Sequence, residues 1–374
     1  MNHHQFVSVV FYFHRLSNAG GAERMICQLA SDLAKRDFIV HLVSWDSPDA
    51  MAFYPLDPAV RWTRLGFSPG TSDKLRRTRA LARLLKDNDV HVLVGFVMSG
   101  DKTIYAAVKL AGVRLVVAER NAPAMYWLRY NHIQRWLSFG LLHLADRITV
   151  QMPGFVTGYP ASLRDRIEII PNPVPVALHK ARPGIANGVG RFTLLTVSRL
   201  DGIQKRIECL IRAFARVAAD RPAWDLRIIG DGPQQTELYR LAGECGVAGR
   251  VKFEPAAADI FGVYIGAHLF AIPSLWEGFP NALAEAMSHG LPAVGFAGAA
   301  GVADLIDKGG GGWLAKGLDD EAALAVTLGQ AMADGEERTR RGKLAVQSMA
   351  TYAPDVQFGR WAALLKSLIT EHTH

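Results

Sequence analysis

The chain has little cysteine: Cys27, Cys209 and Cys245 are all it carries in 374 residues. They are odd in number, far apart and in no CxxC or Cys/His spacing, so neither a disulfide framework nor a zinc site is expected, and a reducing cytoplasm suits them best. Long apolar runs are missing as well. No stretch holds 18 uninterrupted apolar residues; the nearest, Phe261 to Trp276, contains His268 and Pro273 and reads as a short helix followed by a strand, so no membrane span is expected. The apolar run Phe6–Phe13 lacks a preceding Lys/Arg-rich segment, and His14 and Arg15 follow it where a signal peptide would have small residues. It reads as a first β-strand.

What is present points to a globular protein of two domains. The length exceeds the usual 100 to 200 residues or so of one domain. With 49% apolar and 21% charged residues, disorder, collagen-like repeats and coiled coil are excluded. Lys and Arg number 42 against 35 Asp and Glu, a net charge of +7. That balance favours polyanionic partners: nucleic acid, an anionic membrane or a phosphorylated small molecule.

Short runs rich in Val, Ile and Leu alternate with helical patterns, the rhythm of buried parallel sheets, and the rhythm occurs twice. The first set of strands is Phe6–Phe13, Phe38–Trp45, Val90–Phe96, Val113–Ala118 and Arg147–Val150, with Glu168–Ile170 as a short edge; helices begin near Ala22, Leu75, Thr103 and Tyr126. Pro171 to Gly190, rich in Pro and Gly, reads as a linker. The second set is Phe192–Ser198, Asp225–Ile229, Val251–Phe253, His268–Ile272 and Pro292–Phe296, with helices at Ile207–Ala219, Gln234–Cys245, Asp259–Gly266 and Pro280–His289. The expected organisation is an α/β fold: a first Rossmann-like domain over residues 1–175, a second over 176–352, and a C-terminal helix in 353–374 packing back on the first. Ligands in such domains bind at the carboxyl ends of the strands, so the strand-to-helix loops should hold the chemistry.

Four loops stand out. The first, Asn18 to Arg24, has paired glycines, Gly20 and Gly21, before a helix whose free N–H groups suit an anion; it is neither GxGxxG nor a Walker loop. Arg199, just after the first strand of the second domain, offers a planar fork, and Lys205 a compact ammonium, together suited to the oxygens of a diphosphate. Gly230-Asp231-Gly232-Pro233 closes the next strand in a sharp turn. The fourth segment runs from Glu277 to Met287. Pro280 is expected as the first helical residue, leaving free amides near Asn281 and Ala282 to bind a diphosphate or sugar oxygen. Glu285 lies inside that helix among Leu283, Ala284, Ala286 and Met287; these apolar neighbours argue against a solvated face, and its two oxygens suit a vicinal diol.

Taken in order, Ser198-Arg199-Leu200, Lys205, Gly230-Asp231-Gly232-Pro233 and Glu277 and Glu285 with seven residues between them resemble the donor half of family 4 glycosyltransferases, retaining enzymes of the GT-B fold, in which two doubly wound domains face each other across a cleft. The Asn18–Arg24 loop resembles that family's glycine-rich first loop, and the likeness spans essentially the whole chain. It implies a nucleotide-diphosphate sugar donor, UDP favoured over GDP, and no cofactor or metal. It further implies that Arg199 and Lys205 hold the diphosphate, with Gly20, Gly21, Gly230 and Asp231 at the donor site. Glu285 would hold the ribose and Glu277 the hydroxyls of the transferred sugar; the backbone around Asn281, Ala282 and Leu283 would hold phosphate or sugar oxygens. Where many members carry a histidine, this chain has Ala118-Glu119-Arg120-Asn121. That ERN variant resembles a subset acting on lipid-linked or surface oligosaccharides, and it makes Glu119 the catalytic-region candidate, with Arg120 and Asn121 on the acceptor side.

Asp87-Asn88-Asp89 has the DxD spacing of metal-dependent sugar transferases but sits at the amino end of a strand and reads as a turn. Lys74 to Lys86 holds six basic residues in thirteen and no acid. On a helix Arg76, Arg79, Arg83 and Lys86 share a face, which suits anionic lipid head groups or the diphosphate of a polyprenyl-linked acceptor and equally suits plain solvation. Two other functions remain open from the residues alone. A GT-B nucleotide-sugar epimerase would share the donor site. A nucleic-acid-binding protein would explain the charge but has no recognisable motif, and none is expected as a partner.

Overall fold

The computed structural model describes residues 6–18, 20–67, 73–96, 101–257 and 259–370. They form two compact units, one of Met1–Pro173 with Pro354–His374 and one of Val174–Ala353.

The first unit is built on seven strands: β1 (Val7–Tyr12), β2 (Phe38–Ser44), β3 (Arg61–Arg64), β4 (Val92–Gly95), β5 (Arg114–Ala118), β6 (Arg147–Val150) and β7 (Ile167–Ile169). All pair in parallel in the order β3-β2-β1-β4-β5-β6-β7. The chain order therefore reverses beside β1, which makes the β1/β4 edge the topological switch point. Its helices are α1 (Gly21–Ala34), α2 (Lys74–Asp87), α3 (Lys102–Ala111), α4 (Ala124–Arg129), α5 (His132–Leu142) and α6 (Ala161–Arg164). Central strands are buried on both faces; every residue of β1 is buried. β3, with the sequence Arg-Trp-Thr-Arg, is no apolar run and escapes sequence reading because it is a half-exposed edge.

The second unit has six parallel strands: β8 (Phe192–Val197), β9 (Trp224–Ile229), β10 (Val251–Glu254), β11 (Leu269–Ile272), β12 (Ala293–Phe296) and β13 (Gly312–Ala315), in the order β10-β9-β8-β11-β12-β13. Its switch point is β8/β11. The helices are α7 (Ile207–Ala218), α8 (Gln235–Glu244), α9 (Ile260–Ile265), α10 (Asn281–Ser288), α11 (Val302–Gly309), α12 (Glu321–Ala333) and α13 (Gly335–Met349). Arg338, fully buried, caps this unit from within: its guanidinium donates to the carbonyls of Pro183, Ala331 and Met332 and lies over the rings of Phe192 and Trp224. Three hydrogen bonds to backbone carbonyls and two aromatic faces account for a charge tolerated so deep.

The last helix, α14 (Pro354–Thr370), returns to the first unit. Its Phe358, Trp361, Leu364, Leu365 and Leu368 join Val9 and Phe11 of β1, Val92 and Val94 of β4 and the apolar face of α1 in one core, with Trp361 stacked 5.8 Å from Phe96.

Candidate functional site

In the second unit, three strand-to-helix loops converge on Glu277. Arg206, in the left-handed region at φ 51°, caps α7 and makes a fork to Asp319, 2.7 and 2.6 Å, with Glu208 2.5 Å away. That anchor fixes the preceding Lys205, whose Nζ lies 2.6 Å from Glu277 Oε1; the two side chains are 15% and 9% exposed. Gln204, buried, donates from Nε2 to the Trp276 carbonyl at 2.9 Å and to Glu277 Oε2 at 3.4 Å, while its own carbonyl accepts from the Leu275 amide. The loops after β8 and β11, the two strands of the switch point, are thus joined. The third loop follows β12. Glu277 N–H donates to the Ala300 carbonyl, and Gly301, at φ 82°, brings its backbone so close that a Cβ would stand 2.6 Å from the Glu277 carbonyl oxygen.

Arg199 is placed differently from Lys205. It is 76% exposed and meets only the Asp201 carboxylate, at 3.4 Å, among the ion pairs of the described residues. The two cations that the sequence groups together are therefore a half-enclosed, paired ammonium and an exposed fork. Next to them, the Leu200 amide donates to the Asp231 carbonyl, and the Asp231 carboxylate accepts from the Ala256 amide at 3.0 Å, so Asp231 organises the turn. Gly230 is required there: its φ is 140° and a Cβ would sit 1.9 Å from the Ser198 carbonyl oxygen.

The start of α10 corrects one expectation. Pro280 is the cap and not the first helical residue, because its ψ of 81° is outside the helical range. The Asn281 amide consequently turns back to the Phe279 carbonyl at 2.9 Å. Pro280 makes no side-chain cap bond, so the amides aimed outward at this N-terminus are those of Ala282 and Leu283, one residue later than the sequence suggests. Glu285 is buried, as its apolar neighbours require, and its Oε2 accepts from the Tyr264 hydroxyl at 3.1 Å. Behind it, His289 Nδ1–H donates to the Glu285 carbonyl at 2.7 Å and the ring packs on Phe261 and Tyr264; burial holds its pKa below the ordinary value. Gln204 and Tyr264 are the members of this arrangement that the sequence does not reveal. The signal for Gln204 was its position beside Lys205; Tyr264 carries none, since its partner is 21 residues away.

In the first unit, Gly20 caps α1 in extended conformation and Gly21 opens it, with Ala19 outside the described residues. The preceding loop is held by a residue that sequence reading passes over. Asp46, buried after β2, accepts from the amides of Leu16 and Ser17 and the hydroxyls of Ser17 and Ser44, at 2.6 to 3.3 Å. Burial pushes its pKa up, but the four donors outweigh that and hold it below the usual carboxylate range. Glu119 is buried at the end of β5, accepting from Tyr126 Oη at 2.6 Å and Tyr159 Oη at 3.2 Å. Burial, and then the Glu119 charge, push the Tyr105 and Tyr159 hydroxyls up, so they remain protonated around it. Arg120 is half-buried, lies over the Phe96 ring and donates to Asn172; Asn121 is half-buried beside it.

On α2, Arg76, Arg79, Arg83 and Lys86 are all exposed, while Arg77 is buried against the Trp45 ring, 4.3 Å from its centroid. Asp87 ends α2 and Asp89, at φ 44°, forms the turn before β4. Among the described residues no group of three or more His, Cys, Asp or Glu side chains is placed to hold a metal ion, and no helix is long and apolar enough to cross a membrane.

Comparison with known proteins finds matches over both units. The model of "Glycosyltransferase Family 4" matches residues 19–178 and that of "Glycosyl transferases group 1" matches residues 191–334. An uncharacterized glycosyltransferase of Haemophilus influenzae is 25% identical over 314 residues, 81% of this chain and 84% of the relative. The amylovoran biosynthesis glycosyltransferase AmsD of Erwinia amylovora is 23% identical over 357 residues, 94% and 97% of the two chains. Among solved structures, HepE of Anabaena, determined with UDP and glucose, superposes with a TM-score of 0.78 at 19% identity, covering 96% of this chain and 99% of HepE. The fold is that of the GT-B glycosyltransferases.

Proposed function

We propose, for a chain that belongs to the glycosyltransferases matched by those two family models, that it moves a hexose or N-acetylhexosamine from a UDP-sugar to a lipid-linked or surface-glycan oligosaccharide, with retention at the anomeric carbon and without a metal. The observation that carries the donor half of this reading is the Lys205–Glu277 pair strapped across the β8/β11 switch point, beside the start of α10. An ammonium has three N–H donors and Glu277 takes one, which leaves two for phosphate oxygens. Arg199 adds a fork that its exposure leaves able to swing onto the diphosphate. The amides of Ala282 and Leu283, with the helix dipole behind them, complete a set of fixed donors where negative charge grows as the nucleotide leaves. Glu277, its charge compensated by Lys205, accepts from sugar hydroxyls, and Glu285 from the ribose.

In the transfer step the bond from the anomeric carbon to the β-phosphate oxygen breaks and the bond to the acceptor oxygen forms on the same face. The acceptor's proton passes to the departing phosphate, so no side chain need act as a covalent nucleophile. UDP is favoured because HepE is seen with UDP and glucose; a glycan product is favoured by AmsD, named for amylovoran biosynthesis. Glu119, Arg120 and Asn121 are the acceptor-side candidates, and the exposed cations of α2 suit the diphosphate of a polyprenyl carrier or an anionic leaflet. Incubation with UDP- and GDP-sugars and a polyprenyl-diphosphate-linked oligosaccharide tests it. A new α-configured glycoside from a UDP-α-sugar, formed only with acceptor, is the expected product; isomerised free sugar formed without acceptor means an epimerase instead.

A further inference from the structure

The helices α4 and α5 carry large apolar side chains that the described residues leave exposed. Trp127 and Leu128 at the end of α4 are exposed, Trp127 by 62%. On α5, Ile133, Trp136 and Leu137 are exposed, Trp136 by 68%, with Gly140 one turn further and Leu144 in the following turn. The spacing i, i+3, i+4, i+7, i+11 is one helix face. The opposite face is the packed one: Ser138 and Leu142 are buried, and Phe139 meets Tyr126 and Tyr159 at 4.9 and 6.0 Å. The helix break that orients the two Trp-bearing segments is fixed by a capping box, Asn131 with Gln134.

Charge decides what covers this face. From Arg120 to Ala145 there is no Asp or Glu, while Arg129 and Arg135 lie along the same stretch. Arg135 lies 3.8 Å over the Trp127 ring, its stem along the apolar surface and its charge at the rim. A second copy of the chain docked face to face would set these cations against one another with no carboxylate to pair them. An anionic bilayer answers both features: its head groups meet the cations, and its interface is where Trp side chains settle. We propose that the α4–α5 face is a membrane-docking surface, with Trp127, Ile133, Trp136 and Leu137 seated in the head-group and acyl-chain boundary of an anionic leaflet. This is separate from the polybasic α2, whose attraction would be electrostatic alone, and it needs nothing from the donor chemistry of the second unit.

The test uses the full chain and vesicles of phosphatidylglycerol and phosphatidylcholine, with and without bromine on the acyl chains, at 0.1 and 1 M NaCl. Brominated vesicles are expected to quench tryptophan fluorescence, and part of the protein should stay with the vesicles at 1 M NaCl, because buried apolar contacts outlast screened charges. The variant I133S/W136S/L137S changes only exposed side chains; its vesicle partition coefficient should fall about tenfold or more, while R76Q/R79Q/R83Q/K86Q lowers only the salt-sensitive part. Absence of bromine-specific quenching in the parent overturns the proposal whether or not the triple variant folds. So does equal sedimentation of parent and triple variant, or a parent dimer, abolished by the triple substitution, that does not bind vesicles.

Discussion

A double-mutant cycle on Lys205 and Glu277 probes the centre of the site. The changes Lys205→Met and Glu277→Gln keep side-chain size and remove one charge each. At 2.6 Å, with both side chains less than a sixth exposed, removing either partner strands the other charge in a poorly solvated place. Full burial would make that worth about 3–5 kcal/mol; residual solvent access brings it to roughly 2–4 kcal/mol of unfolding free energy for each single variant. The double variant should recover part of that, with a coupling energy of about 1–3 kcal/mol, because no lone charge remains. For turnover, each single change should lower kcat/KM about ten- to a hundredfold by loss of a charge-assisted contact to the diphosphate or of the group that orients it. The double variant should be little worse than the poorer single one, since residues acting as a unit are not additive. Urea titration and nucleotide release under saturating acceptor measure the two quantities. A coupling energy below about 0.5 kcal/mol, or a double variant whose activity loss is the product of the single losses, refutes the reasoning that the pair is one functional unit.

Arg199→Ala should leave the urea midpoint unchanged, since the side chain is exposed and its one ion pair among the described residues is with Asp201, yet lower kcat/KM by about tenfold or more. Gly230→Ala, which forces a Cβ onto the Ser198 carbonyl oxygen, should destabilise the second unit by more than about 2 kcal/mol, read as a lower thermal midpoint. His268 accepts the Thr193 N–H at Nδ1 and meets the Ile185 carbonyl at Nε2, and burial holds its pKa below the ordinary value. The unfolded chain then binds the proton more readily than the folded one, so stability should fall as pH drops below about 6.5, and His268→Gln should flatten that slope in urea titrations between pH 5 and 7.5. Excess EDTA should leave the transfer rate nearly unchanged; a rate abolished by EDTA and restored by Mg²⁺ or Mn²⁺ returns attention to Asp87 and Asp89.

Buried parallel strands were the most legible feature, because a strand covered on both faces must be apolar along its whole length, as β4 and β11 are. β13 hid behind four consecutive glycines, and β3 behind two arginines, since neither is written as an apolar run. The aromatic stretch from Tyr126 reads as one helix by periodicity but is two, because Asn131 caps a new start and Tyr130 is extended. At the candidate site, residue type and order singled out Lys205, Glu277 and Glu285, and the structure pairs the first two while burying the third inside α10. The position of Pro280 was misread by one residue because proline's fixed φ suits both a cap and a first turn, and ψ, which sequence does not constrain, decides between them. Asp46 and Tyr264 were invisible for another reason: their roles are hydrogen bonds to chain-distant partners, which leave no local pattern.

The central claim is that the second unit binds a nucleotide-diphosphate sugar through Lys205, Glu277, Glu285 and the start of α10. Saturation-transfer NMR against a panel of UDP- and GDP-sugars tests it most directly. UDP-sugars should receive saturation at uracil, ribose and sugar protons, with the ribose signal lost in Glu285→Ala and the whole response weakened in Lys205→Met. Saturation of no nucleotide sugar in the panel, or an unchanged pattern in both variants, would contradict it.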